Sequence, residues 1–240
     1  MSLPNNKYSL AIHTSSSDLG FAISNFDEDT RCQKWNLGRD LSIYLHQYLR
    51  EFIQPQTWED LAFIAVAKGP GGFTGTRMGV VTARTLAQQL NIPLFGISSL
   101  AAVAWDTAKK TAEIQEKPTT IAVQMRARRE QLFGAIYEIE KVTGNSGVLP
   151  GNMPVLDPPP QTTNFSLKEL LPETLTMAED WEKTVSNWHT SVEAIQAEGG
   201  LGGSVLSVLE LAYKDWEEGK RSSWSEVVPF YGQHPVEQKR

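Results

Sequence analysis

A glycine-rich run between residues 67 and 87, AKGPGGFTGTRMGVVTARTLA, carries the residue types and spacing nearest to a binding function. It joins the end of an apolar segment to a helical pattern through a turn with Gly69, Gly71, Gly72 and Gly75. Glycine permits the unusual backbone angles of such a turn, and the N–H groups of Thr74 to Arg77 at the helix start can hold an anion. The run predicts either an anion-binding loop or an ordinary strand-to-helix turn, and both interpretations stay open.

Neither of the common phosphate-binding motifs is complete in this run. A Walker A loop needs a lysine directly after its second glycine, and the corresponding position, counted from Gly69, holds Gly75. The Rossmann motif is also absent, because the glycine spacing differs and no acidic residue follows at the distance that reaches a ribose. The motif search therefore predicts no bound cofactor.

The helix after the loop has a face of small residues. Thr76, Gly79, Ala83 and Ala87 follow one another at spacings of three and four, which places them on one side of a helix. Glycine inside a helix costs about 0.5–1 kcal/mol relative to alanine, so Gly79 indicates a packing requirement. The small face packs either on the chain's own domain or on a second protein.

The side chains of common catalytic sites are scattered along the chain. The four histidines form no HxxxH pattern, and Cys32 has no neighbouring base. Asp106, Asp180 and Glu182 are carboxylates whose spacing does not distinguish them from solvated surface groups. The sequence predicts no metal site and no catalytic set.

Composition limits the classes of partner. The 240 residues carry a net charge of −6, which argues against strong independent binding to nucleic acid. Arg126, Arg128 and Arg129 form a dense basic cluster, interpreted as a solvated edge or as a contact to RNA or another anion. No apolar run has the roughly 18–20 residues of a membrane span, and the first residues lack a signal peptide pattern. We expect a cytoplasmic protein that does not enter membranes.

Apolar patterning predicts the elements that position these residues. Strands at Tyr8–Thr14, Leu19–Asn25 and Arg31–Leu37 are predicted to form an antiparallel meander. The following elements are a helix from Asp40 to Phe52, a strand Leu61–Ala67, the helix after the glycine run, a strand Pro93–Ile97 and a helix capped by Ser98 or Ser99. This order predicts a mixed α/β sheet.

The second half of the chain gives a weaker pattern. Strands are predicted at Thr120–Gln124 and Gln131–Ile139, and an irregular loop is predicted over Gly144–Thr163. Short helices are predicted at Ser166–Leu171 and Ser186–Ala197, and a long helix at Leu201–Glu218.

Three segments together resemble the TsaB (YeaZ) family. They are LAIHTSSSDLGFAI at 10–23, AKGPGGFTGTRMGVVTARTLAQQLNIPLFGISSLAAVA at 67–104 and VVPFYG at 227–232, and the central segment is the most specific. The resemblance implies a two-lobed actin-like ATPase (ribonuclease H-like) α/β fold with mixed sheets and a reduced second lobe. We expect residues 1–108 and 202–220 in the N-terminal lobe, 109–201 in the smaller lobe and 221–240 in a tail.

The chain departs from the family pattern at three places. His13 stands where the first strand of the family carries an aspartate. Arg126 replaces the aspartate of the D-A-R-R-x-E-V-Y motif, while Arg128 and Arg129 keep the arginine positions. Gly38-Arg39-Asp40 replaces H-S-E at the first helix. The two lost aspartates are of the kind that position magnesium, which argues against nucleotide or metal binding by this chain.

The resemblance implies a role in making N6-threonylcarbamoyladenosine on tRNA. TsaB-like proteins pair with TsaD, a larger relative whose metal site performs the transfer, and act with the ATPase TsaE. We therefore expect a non-catalytic subunit that has no cofactor, forms a heterodimer with a TsaD-like protein, meets tRNA only through that complex and forms a homodimer when alone.

In the family, the first two helices form the dimer interface. Carried over to this chain, these helices are Leu41 to Phe52 and Thr76 to Leu90. The predicted contacts are Leu45, Tyr48, Arg77, Gly79, Val80 and Ala83. The alternative is an independent small-molecule kinase or ATPase of the same superfamily that uses the loop from Gly69 to Gly75.

Overall fold

The computed structural model describes residues 3–4, 6–110, 118–141 and 165–232. The loop predicted over Gly144–Thr163 lies outside the described residues. Within these ranges, none of the helices combines the length and the apolar character needed to span a bilayer.

The first sheet contains five strands among the described residues. They are β1 Tyr8–His13, β2 Asp18–Ser24, β3 Thr30–Asn36, β4 Leu61–Ala67 and β5 Leu94–Ile97. The spatial order is β3-β2-β1-β4-β5, with β1, β2 and β3 antiparallel and with β4 and β5 parallel to β1. The predicted meander is confirmed, and its strand boundaries lie within one residue of the prediction.

Helices cover both faces of this sheet. One face packs on α1 Leu41–Phe52 and α2 Phe73–Leu90, and the other packs on α3 Ser99–Lys110 and α5 Val205–Glu217. Successive residues of β4 therefore enter opposite layers, and the whole strand is buried. The predicted cap of α3 is confirmed, because the Ser98 hydroxyl accepts from two N–H groups of its first turn.

The second sheet contains four strands within the described ranges. They are β6 Thr119–Arg126, β7 Gln131–Lys141, β8 Phe165–Met177 and β9 Val192–Gln196, in the order β8-β7-β6-β9. The strands β6, β7 and β8 are antiparallel, and β9 runs parallel to β6. One face packs on α4 Ala178–Ser186 and the other on α3. The predicted α/β class with two mixed sheets is confirmed.

The two predicted short helices of the second half are wrong. Ser166–Leu171 belongs to β8, and Ser186–Ala197 contains the end of α4 followed by β9. The segment 165–177 extends because it pairs with β7 along the edge of the sheet. Pro172 lies in a register irregularity of this edge strand, where its missing N–H is tolerated.

The long C-terminal helix begins later than predicted. Leu201–Ser204 form a 3-10 turn, and α5 starts at Val205. At this turn the backbone approaches β2 so closely that a Cβ on Gly20 would lie 2.3 Å from the Gly202 carbonyl oxygen. This contact anchors the start of α5 on the first sheet.

Candidate partner-binding surface

The glycine run packs against the turn that follows β1. A Cβ on Gly71 would lie 2.2 Å from the Ser15 carbonyl oxygen, and a Cβ on Gly75 would lie 2.2 Å from the Thr14 carbonyl oxygen. The Gly72 N–H donates to the Ser15 carbonyl at 2.7 Å. Gly69 adopts a positive φ of 103°. Gly71 and Gly75 are therefore needed for the close approach of the two backbones, and Gly69 is needed for its positive φ.

The small-residue face of α2 packs inward on its own sheet. Thr76, Gly79, Val80, Ala83 and Ala87 are all buried. A Cβ on Gly79 would lie 2.1 Å from the Thr14 Oγ1, which donates to the Gly75 carbonyl. Packing within the domain is thus the interpretation that the structure supports for this face.

The predicted partner contacts must be corrected on this basis. Leu45, Gly79, Val80 and Ala83 are buried in the interior of this chain, where a partner cannot reach them without a rearrangement. Arg77 is exposed on α2. Tyr48 is half-buried, and its ring lies 5.0 Å from that of Trp35. Partner binding by α1 and α2 stays a prediction, and it now depends on residues that face solvent, such as Arg77.

A groove with a mainly apolar lining lies between α1 and α2. Its volume is about 920 Å³. We call it the α1–α2 groove, and its outward lining includes His46, Arg50, Phe73, Arg77, Met78 and Val81. Phe73 is 56% exposed and Val81 is 53% exposed, and Ile43 on α1 is 66% exposed.

The outward side of α2 follows a pattern that the sequence analysis missed. A row of exposed residues at four-residue spacing lies away from the small face, and it consists of Phe73, Arg77, Val81 and Thr85. Among the described residues, five large hydrophobic side chains are exposed, and three of them belong to α1 and α2. The sequence does contain a signal for this surface, because the helical spacing places the apolar residues Phe73 and Val81 on a different side of α2 from the small-residue face.

The basic cluster lies on the other side of the glycine run. Arg126 ends β6, and Arg128 and Arg129 lie in the turn to β7. Arg126 and Arg128 line a cleft of about 590 Å³ together with Gly71, Gly72 and Thr74, whereas Arg129 does not line it. We call this the interlobe cleft. The structure thereby brings together two features that are about fifty residues apart in the sequence.

His13, at the aspartate position of the family motif, is uncharged. It is fully buried, and burial lowers its pKa to about 3. The Nδ1 atom accepts from the Ser15 N–H at 3.4 Å, and the Nε2 atom has no hydrogen-bond partner among the described residues. His13 therefore does not supply the negative charge of an aspartate.

The remaining candidates are surface groups. Asp106 and Asp180 form ion pairs with Lys110 and Lys183 on their own helices, and Glu182 is exposed. Cys32 is exposed on β3. In the part of the chain that the structure describes, no three His, Cys, Asp or Glu side chains come together as a metal site would require.

Sequence comparisons relate the chain to proteins of tRNA modification. Residues 46–156 match the family model described as TsaD: tRNA N6-adenosine threonylcarbamoyltransferase. The tRNA threonylcarbamoyladenosine biosynthesis protein TsaB of Bacillus subtilis is 34% identical over 152 residues, which cover 58% of this chain and 61% of that protein. The match thus spans less than two thirds of that relative's own length. TsaB of Escherichia coli K12 is 23% identical over 75% of this chain and 74% of its own.

A comparison of structures agrees on the fold. The structure of YeaZ from Pseudomonas aeruginosa superposes with a TM-score of 0.69 and 17% sequence identity, over 94% of this chain and 99% of the other. At this identity the match establishes a shared fold.

Proposed function

We propose that this chain is a member of the TsaB (YeaZ) family and a non-catalytic subunit in the synthesis of N6-threonylcarbamoyladenosine on tRNA. It binds a TsaD-like transferase through the α1–α2 groove and activates it. The names of the Bacillus subtilis and Escherichia coli relatives support the pathway.

The exposed apolar surface of α1 and α2 is the observation that carries the proposal. Exposed Phe73 and Val81 line the groove from α2, and exposed Ile43 lies on the neighbouring helix α1 outside its lining. Apolar surface of this kind marks interaction sites, because its burial against a partner is favourable. Arg50 and Arg77 line the same groove, and arginine is enriched in protein interfaces.

The transfer chemistry is assigned to the partner. Two acids of the family motifs are replaced in this chain, one by the neutral His13 and one by Arg126. A TsaE-like ATPase and the tRNA join only through the complex. Without the transferase, the same apolar groove pairs with a second copy of this chain, because the exposed surface remains.

Two measurements test the proposal. The first is co-purification of this chain with the TsaD-like protein of the same organism, and the second is an assay of tRNA threonylcarbamoylation with and without this chain. Val81→Arg places a charge in the groove and should abolish the complex and the modification. Val228 is 56% exposed, close to the 53% of Val81, and does not line the groove. Val228→Arg is therefore the matched control and should behave like the wild type.

Two results would contradict the proposal. A complex that survives Val81→Arg unchanged would remove the groove as the interface. Full modification by the transferase without this chain would remove the activating role. Both variants are checked for folding by circular dichroism before either result is interpreted.

The alternative is an independent small-molecule kinase or ATPase, and the interlobe cleft beside the glycine run is the observation that favours it. Magnesium-dependent ATP turnover by the isolated chain would support this alternative. The replacement of two aspartates by His13 and Arg126 argues against it, because magnesium prefers carboxylate ligands.

A further inference from the structure

We propose, on the basis of the function proposed above, that the charge of the α1–α2 groove selects an acidic partner over a second copy of this chain. The transferase surface that enters the groove then combines apolar side chains with carboxylates. Two copies of this chain still pair through the same groove, but their equal charges oppose that pairing.

The groove is basic, although the chain as a whole is acidic. The sequence contains 28 Asp and Glu residues against 22 Lys and Arg residues. The described lining of the groove includes Arg50, Arg77 and His46, and it includes no aspartate or glutamate. The charge of this surface is therefore opposite in sign to the net charge of the chain.

The guanidinium groups of Arg50 and Arg77 are available to another molecule. Both side chains are exposed, and neither forms an ion pair with another described residue. Glu51 is the one carboxylate of α1 and α2, both of which the structure describes in full. It does not line the groove, and it accepts a hydrogen bond from the Gln47 side chain at 3.0 Å.

A partner that covers the groove must supply both apolar surface and carboxylates. Phe73 and Val81 are more than half exposed and are covered best by apolar side chains. An arginine beside them loses contact with water in the complex, and leaving it unpaired costs free energy. Carboxylates pair with arginine through two parallel N–H bonds. Nucleic acid fits less well, because its binding depends mainly on many cationic contacts to phosphates.

A second copy of this chain cannot meet the same requirement. A two-fold interface places the same surface on both sides. Arg50 and Arg77 of both copies then enter an interface whose described lining supplies no carboxylate. Like charges oppose association, and repulsion built against the wrong partner is a general source of specificity. Self-pairing is therefore weaker than the apolar surface alone would make it.

The double variant Arg50→Gln/Arg77→Gln separates the two pairings. Its affinity for the TsaD-like protein should fall about tenfold, at about threefold for each exposed ion pair that is lost. Its self-association, measured by sedimentation equilibrium of the full chain, should become about tenfold tighter because the repulsion is removed. The matched control Arg128→Gln/Arg129→Gln makes the same change of charge in the exposed turn between β6 and β7, outside the groove. It should change neither affinity.

Salt gives an independent measure of the same charges. Raising sodium chloride from roughly 50 mM to about 500 mM shortens the range of electrostatic interactions. In the wild type and the control variant, this change should weaken the complex with the transferase and tighten self-association. Both dependences should become flatter in Arg50→Gln/Arg77→Gln.

The proposal is overturned if Arg50→Gln/Arg77→Gln leaves both affinities unchanged or weakens self-association. It is equally overturned if salt shifts the two wild-type equilibria in the same direction. The proposed function survives either result as long as Val81→Arg abolishes the complex. If Val81→Arg binds the transferase like the wild type, the groove is not the interface, and its role in partner selection falls with it.

Discussion

At the scale of single residues, the burial of His13 has a measurable consequence for stability. Burial lowers its folded-state pKa to about 3, and an unperturbed histidine titrates near 6.5. Between these pH values, the unfolded chain takes up a proton at His13 that the folded chain does not bind. Stability from this residue is therefore complete above about pH 6.5 and is lost as the pH falls towards 3.

We predict that His13→Gln reduces the pH dependence of the free energy of unfolding. The His13 contribution should cost the wild type roughly 2 kcal/mol between pH 7 and pH 5, since one proton accounts for about 1.4 kcal/mol per pH unit. Urea titrations at the two pH values give the measurement. The raised pKa of Glu169, caused by burial and by Glu173, is common to both proteins and cancels in the comparison. Identical slopes for the two proteins would contradict the assignment.

At the scale of elements, the packing of α2 against the end of β1 determines which face remains outside. Gly79 allows the helix to approach Thr14, whose hydroxyl donates to the Gly75 carbonyl at 2.8 Å. The inward orientation of this face turns Phe73 and Val81 towards solvent. The apolar groove is thus a geometric consequence of the small-residue face.

Gly79→Ala should destabilise the fold even though alanine is the better helix former. The new methyl group would lie 2.1 Å from the Thr14 Oγ1, and overpacking of this kind costs about 1–3 kcal/mol. That cost exceeds the gain in helix propensity of about 1 kcal/mol. Adding Thr14→Ala removes the clashing oxygen and should recover part of the loss, so thermal melts of the four proteins measure the coupling. A stabilised single variant would show that the helix can move away from β1.

The buried position of Gly79 also changes the meaning of a larger substitution. Gly79→Arg would place a long charged side chain in the interior and report on folding. Variants that test the partner surface must therefore be made at outward positions such as Val81.

The sequence predicted the elements of the first sheet closely, because their patterns are local. Leu61–Ala67 is an unbroken apolar run and forms β4 with the predicted boundaries. The segment Ser166–Leu171 is predicted as helix from its local pattern alone. It forms a strand because it pairs with β7, which is distant in the sequence. Strand formation at such positions depends on tertiary context more than on local preference.

The candidate sites were only partly predictable for a related reason. A helix face of small residues can pack on the chain's own sheet or on a partner protein. The sequence therefore did not show which of the two surfaces Gly79 and Ala83 contact. The cleft joins Gly71 and Thr74 to Arg126, and this proximity follows from how the second sheet docks on the first. Spacing along the chain does not contain that information.

At the scale of the whole molecule, α3 and the C-terminal segment are among the described elements that connect the sheets. The helix α3 contributes Leu100 and Ala104 to the core of the second sheet, while Ala102 packs in the core of the first. The C-terminal segment around Phe230 also contacts both sheets. Its backbone bonds to Lys68 after β4, and its ring lies 6.1 Å from that of Phe133 on β7.

We predict that Phe230→Ala loosens the connection between the sheets at the interlobe cleft. The half-buried ring contacts the second sheet while its backbone is held by the first, so its removal should cost about 1–3 kcal/mol. Hydrogen exchange should increase at the start of β7 and at the Phe230 N–H, and remain unchanged in β1 and β2. Val228→Ala removes a neighbouring exposed side chain and should alter neither exchange nor melting temperature. Equal effects of the two substitutions would mean that the Phe230 ring does not hold the sheets together.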